Sequence, residues 1–207
     1  MDITIIGAGN VGQALGAGWR KCGHDVVYAL RAASGKNADT VAAQGFRVVS
    51  LKEAADADVV VLAVPWPAVA EALQAAGSLA GKIVIDATNP LTRELELALG
   101  FNDSAGETVA RLTPAARVVK AFNTTGAGNM ATAHAFAAKP MMPLAGDDAE
   151  AKTVVAKLAE ELGFEAIDAG RLTAARLLEP LAMFWIKLAY AQNFGRNFAF
   201  SVIRRER

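Results

Sequence analysis

A glycine triplet at positions 7, 9 and 12 constrains this chain more than any other feature. Ile3-Thr4-Ile5-Ile6 is a short, mostly β-branched run leading straight into Gly7-Ala8-Gly9-Asn10-Val11-Gly12. Apolar residues then recur at Val11, Leu15, Gly18/Trp19 and Cys22, the spacing of a helix with one buried face. Gly23-His24 ends that helix, and Asp25-Val26-Val27-Tyr28-Ala29-Leu30 reads as a second strand. Strand, G-x-G-x-x-G turn, helix and strand in this order form the unit that binds the diphosphate of a dinucleotide. Gly7 makes the tight turn, Gly9 lets backbone approach a pyrophosphate, and Gly12 lets helix and strand touch. The helix start offers free N–H groups and a positive dipole end.

The residues after the second strand choose between dinucleotides. An NAD site places an acid there to hold the ribose 2′-hydroxyl. This chain has Leu30-Arg31-Ala32-Ala33-Ser34-Gly35-Lys36, and Asp25 lies at the wrong end of the strand. Two positive charges and a hydroxyl, with a guanidinium able to fork onto phosphate oxygens, suit a 2′-phosphate. The expected ligand is therefore NADP(H), held by Arg31, Ser34 and Lys36. The plain alternative is a solvated basic loop.

With 207 residues, 53% of them hydrophobic, the chain can bury one large core plus a small appendage. The 21 basic and 21 acidic residues cancel, so no electrostatic footprint for nucleic acid is expected; the basic tail Arg196, Arg204, Arg205 and Arg207 reads as a solvated terminus. Cys22, on the apolar side of the first helix, is expected to be a packed thiol. Met1 leads directly into a core strand, leaving no room for a signal peptide, and no apolar run reaches the roughly 20 residues that cross a bilayer. A soluble cytoplasmic protein with no membrane partner is expected.

Strand and helix patterns alternate along the remainder. Residues 39–44 suggest a short helix, and Ser50 with Glu53 a capping box. Val59-Val60-Val61-Leu62-Ala63-Val64 is an uninterrupted apolar run suited to a central parallel strand, stopped by Pro65-Trp66-Pro67. Further strands are expected at 82–87 and 117–122, an outer strand at 141–146 because of Pro140 and Pro143, and a last short one at 165–168. From Thr173 helical spacing continues across Pro180, as two helices or one kinked helix. The fold class is α/β: a doubly wound Rossmann sheet over residues 1–170 with a short helical C-terminal extension over 171–207.

In such a sheet ligands bind beyond the carboxyl ends of the strands. Ala63, Val64 and Pro65 should lie beside the adenosine ribose and pyrophosphate, with Trp66 either covering the ligand or anchoring the surface. Ala121 ends another such strand, and Asn89 and Asn123 can both give and accept hydrogen bonds with a carboxamide or ribose. Small residues at Thr124, Thr125, Gly126 and Gly128 leave room for a flat ring. The two histidines, His24 and His134, have no ligand-spaced partners, so no metal is expected, and no nucleophilic triad is legible. Lys120 is the one strand-end proton donor, although an outward-facing lysine is the simpler reading. A site without acid–base equipment assigns no catalytic side chain. It fits hydride transfer to a small-molecule acceptor that stabilises its own negative charge, such as a flavin or deazaflavin.

Several stretches resemble the family of NADP oxidoreductases dependent on coenzyme F420, and are similar to the cytoplasmic oxidoreductase domain of the six-transmembrane metalloreductases. They are Ile6-Gly7-Ala8-Gly9-Asn10-Val11-Gly12, Ala63-Val64-Pro65-Trp66, Asp86-Ala87-Thr88-Asn89-Pro90 and Val118-Val119-Lys120-Ala121-Phe122-Asn123-Thr124, with Leu144-Ala145-Gly146-Asp147-Asp148 and the segment 162–172 downstream. The resemblance implies NADP contacts at Gly7, Gly9, Asn10, Val11, Gly12, Arg31, Ser34, Lys36, Val64 and Pro65. It also implies an acceptor ring, F420 or a flavin, near Phe122, Asn123 and Thr124, and a homodimer. Leu30 stands where family members often carry a serine, which removes one phosphate donor. The competing expectation is a non-catalytic module that senses the NADPH/NADP⁺ ratio. A dehydrogenase of small hydroxy acids or imines would want an acid–base residue and a larger substrate domain.

Overall fold

The computed structural model describes residues 1–205, so Arg207 of the basic tail lies outside the described residues. Eight strands and seven α-helices follow one another along them: β1 (Asp2–Ile6), α1 (Asn10–Lys21), β2 (Asp25–Leu30), α2 (Lys36–Ala43), β3 (Arg47–Ser50), β4 (Val59–Leu62), α3 (Val69–Ala76), β5 (Ile83–Asp86), α4 (Ala105–Leu112), β6 (Arg117–Lys120), α5 (Ala127–Met130), β7 (Met141–Gly146), α6 (Ala149–Glu161), β8 (Glu165–Asp168) and α7 (Ala175–Ala191). They build one sheet in the order β3-β2-β1-β4-β5-β6-β7-β8. The six strands β1 to β6 run parallel. From β1 the chain moves to β2 and β3 on one side, then returns to β4 on the other. The crevice between β1 and β4 is therefore the switch point of a doubly wound Rossmann sheet.

Two apolar layers explain why the central strands have no polar face. Ile3 and Ile5 join Leu15 and Trp19 of α1 and Val155 and Leu158 of α6 in one layer. Ile6, Val60 and Leu62 join Val69 and Leu73 of α3 and Val109 of α4 in the other. Alternate strand residues thus feed opposite layers, as the pleat requires.

Two local expectations are corrected, those for the 141–146 strand and for Cys22, and two are refined. The 141–146 strand is not at the edge: β7 lies between β6 and β8. It tolerates Pro143 because β6 meets it, antiparallel, only at Ala145 and Gly146, while Met141 to Leu144 pair with β8. Ser50 and Glu53 do form a box, the Ser50 N–H donating to Glu53 Oε2 at 2.9 Å, but it heads a 3₁₀ helix, Leu51–Asp56. Pro180 lies inside a single helix, α7, preceded by a 3₁₀ turn at Leu172–Ala174. Cys22 is exposed rather than packed, since it caps the end of α1, where its Sγ is 3.5 Å from the Glu161 carbonyl.

Candidate functional site

A cleft of ≈ 630 Å³ opens at the switch point. Gly7 and Gly9 form its floor, Ala63, Val64 and Pro65 line it beyond β4, and Arg31, Ser34 and Lys36 line it beyond β2. Gly7 has φ +108°, and a side chain there would place its Cβ 2.5 Å from the Ala63 carbonyl oxygen. At Gly12 a Cβ would collide with the Gly7 carbonyl oxygen, whereas at Gly9 nothing lies within 4 Å. The loop is thus packed tightly behind and open in front, as backbone contact with a pyrophosphate demands. Gly9 caps α1 with no side chain bonded to the helix start, leaving that end to a ligand. Gln13 Nε2 donates to the Ala8 carbonyl at 2.7 Å, and the Tyr28 hydroxyl donates to the Gly12 carbonyl at 3.0 Å. Burial pushes the Tyr28 hydroxyl well above its ordinary pKa, so it stays a donor.

The carboxyl ends of β5 and β6 are built differently. Asp86 and Lys120 are register partners on neighbouring parallel strands, and both are fully buried with Glu179 of α7. Lys120 Nζ lies 2.9 Å from Asp86 Oδ2, 3.0 Å from Glu179 Oε1 and 2.5 Å from the Thr88 carbonyl. Its three N–H bonds are all engaged. Asp86 Oδ1 accepts from the Thr88 N–H and hydroxyl at 2.9 and 2.7 Å. Glu179 accepts from the Ala105 and Gly106 N–H groups at 3.0 and 3.1 Å, so the first turn of α4 shares the negative charge. Just beyond, Asn89 Nδ2 donates to the Asn123 carbonyl at 3.0 Å, while Asn123 Nδ2 donates to Asn89 Oδ1 and the Leu178 carbonyl at 3.1 and 3.2 Å. The buried Asn123 Oδ1 has no hydrogen-bond partner among the described residues.

A family model described as NADP oxidoreductase, coenzyme F420-dependent, matches residues 2–90. The chain is 33% identical to a candidate F420-dependent NADP-reductase from Arthrobacter sp. FB24, whose crystal structure superposes with a TM-score of 0.88 over 98% of this chain and 99% of that one. The chain belongs to this family. The F420-dependent NADP oxidoreductase family is thus represented here over nearly the whole fold. Metalloreductase STEAP3 from Rattus norvegicus is 33% identical over 145 residues, 63% of this chain, and this chain spans only 29% of that protein's length. A reductive aminase from Aspergillus terreus, in complex with NADPH and ethyl-5-oxohexanoate, is 20% identical and shares the fold, with a TM-score of 0.70 over 93% of this chain and 63% of that one.

In this member of the F420-dependent NADP oxidoreductase family, the residues singled out by sequence fall into two groups. Gly7, Gly9, Arg31, Ser34, Lys36, Ala63, Val64 and Pro65 meet in the cleft, with Gly12 buried behind it, while Asn10 and Val11 open α1 without lining it. Asn89, Ala121, Phe122, Asn123 and Thr124 are not part of the cleft wall. The Phe122 ring packs edge-on against Trp19 in the core, centroids 5.4 Å apart, and Thr124 is buried. Gly126 is small for an internal reason: a Cβ there would sit 2.5 Å from the Trp185 ring. Trp66 packs on the second apolar layer as an anchor. Lys120 does not face outward, because its register with Asp86 turns it into the buried cluster. Tyr28, Glu71 and Glu179 were not anticipated. Among the described residues no three His, Cys, Asp or Glu side chains group as metal ligands, and no helix is long and apolar enough to cross a membrane.

Proposed function

We propose that this family member transfers hydride between NADP(H) and a planar acceptor of deazaflavin or flavin type. The observation carrying this reading is that one cleft joins the glycine turn, the open start of α1 and the basic loop of Arg31, Ser34 and Lys36. The glycines would receive the pyrophosphate by backbone N–H groups, and Arg31 with Lys36 would take the 2′-phosphate. NADPH itself supplies the hydride, so the chain's contribution is to bind and orient. Lys120 directs its three N–H donors at buried acceptors of the chain rather than at a ligand. It fixes the Thr88 carbonyl, and with it the loop carrying Asn89, next to Asn123. Asn123 Oδ1, a buried acceptor with no donor among the described residues, has the chemistry to accept a carboxamide N–H.

Residues 1–170 are assigned to the nucleotide-binding unit and those from 171 onward to a helical cap. A cytoplasmic homodimer accords with the outer face of α7, where Leu177, Leu181, Phe184 and Leu188 recur at i, i+4, i+7 and i+11 and Leu177 is 72% exposed. The second reading is a sensor of the NADPH/NADP⁺ ratio, favoured by the burial of Phe122, Asn123 and Thr124. The test is NADPH oxidation followed at 340 nm with F420, FMN and FAD in turn. Turnover with one of these planar acceptors supports the oxidoreductase. Tight NADPH binding without turnover across the series selects the sensor.

A further inference from the structure

Among the described residues lining the cleft, Arg31 and Lys36 are basic and Glu71 alone is acidic. Glu71 lies in the first turn of α3, where an acid suits the helix dipole. The dipole accounts for the residue type but not for its direction. Ala68, Glu71 and Ala72, at i, i+3 and i+4, turn one face of this segment into the cleft, and Glu71 Oε1 lies 3.4 Å from Arg31 Nη1. The two side chains are 64% and 78% exposed, so the pair is weak and both partners can swing. A guanidinium turned to a carboxylate is nonetheless withheld from a phosphate. The carboxylate also repels a phosphate monoester carrying nearly two negative charges.

We propose that Glu71 is a specificity-determining residue: it competes with the 2′-phosphate for Arg31 and so moderates the preference for NADPH over NADH. This rests on the reading of the cleft as an NADP(H) site. The acid tempers the very contact that distinguishes the two cofactors.

The test isolates the adenosine end by calorimetric titration of adenosine 2′,5′-bisphosphate and of AMP, with NADPH alongside, on wild type, E71Q, E71K, R31A and the R31A/E71Q double variant. E71Q should bind the bisphosphate about threefold tighter, the size of one exposed ion pair, with AMP unchanged. E71K should gain more, about tenfold at low salt, and lose most of that gain at high salt. In the R31A background the E71Q gain should shrink, because the competition is for Arg31. If E71Q leaves bisphosphate binding unchanged, or weakens both ligands alike as loss of an adenine or ribose contact would, the proposal is overturned while the cleft assignment survives. If wild type binds AMP and the bisphosphate equally, or fails to bind NADPH, the cleft assignment falls and this proposal with it.

Discussion

The carboxyl edge of the sheet carries charge in two opposite ways. Between β1, β2 and β4, Arg31 and Glu71 sit in water on the rim of an open cleft, with no side chain capping the helix start beside them. Between β5 and β6, Asp86, Lys120 and Glu179 are withdrawn from water altogether, and every Lys120 proton has an acceptor. Charge kept in water costs the fold little and stays free to meet a ligand. Charge taken into the interior is worth little net stability as a set, yet becomes expensive when any partner is lost. One end of the edge is therefore arranged for exchange and the other for fixity.

The contrast is tested most severely at Lys120. Lys120→Met leaves two carboxylates buried without their cation, and should cost about 3–5 kcal/mol in urea unfolding. A loss under about 1 kcal/mol would mean that water or protonation relieves the cluster, and the two ends would differ less than their burial indicates. Arg31→Ala should do the reverse. Stability should stay within about 0.5 kcal/mol of wild type, as at most exposed sites, while NADPH binding weakens about tenfold or more and NADH binding far less. Equal losses for both cofactors would remove the phosphate assignment.

A smaller effect sharpens the comparison where α7 packs on α4. Arg176 forks onto Glu107 at 2.8 and 2.6 Å, and this contact holds the Glu107 carboxyl below its usual value of 4.5. Depression in the folded state means that the contribution is complete above pH 4.5 and disappears as pH falls through the lowered folded value. Arg176→Met should therefore lower stability at neutral pH by under about 1 kcal/mol and flatten its fall in acid. An unchanged acid profile would show that Glu107 does not link α7 to α4.

The cleft was legible because its parts lie close together in sequence. Gly7 to Gly12 and Arg31 to Lys36 belong to one continuous crossover, and their spacing fixes their geometry. The buried cluster was not, because Asp86, Lys120 and Glu179 come from three distant segments whose meeting depends on strand order and on where α7 docks. A cue existed: Ile83-Val84-Ile85-Asp86 and Arg117-Val118-Val119-Lys120 each end apolar runs on an ionisable residue of opposite sign, and in-register parallel strands would pair them. Burial also settled the small residues after Phe122, since Gly126 makes room for Trp185. Glu71 was hidden for a plainer reason: an acid in a first helical turn is what any amphipathic helix would carry.

The Tyr28 hydroxyl bond to Gly12 has a consequence for how the adenosine end is gripped. Tyr28 lies on β2, and Arg31 is the first residue after that strand, so the side chain that locks the glycine turn and the residue proposed to meet a phosphate are three residues apart along one length of backbone. At the level of backbone the two anchor points cannot drift independently, although the exposed Arg31 side chain still swings. A ligand that spans them finds their separation already set, and little of its binding energy is spent on bringing them into line.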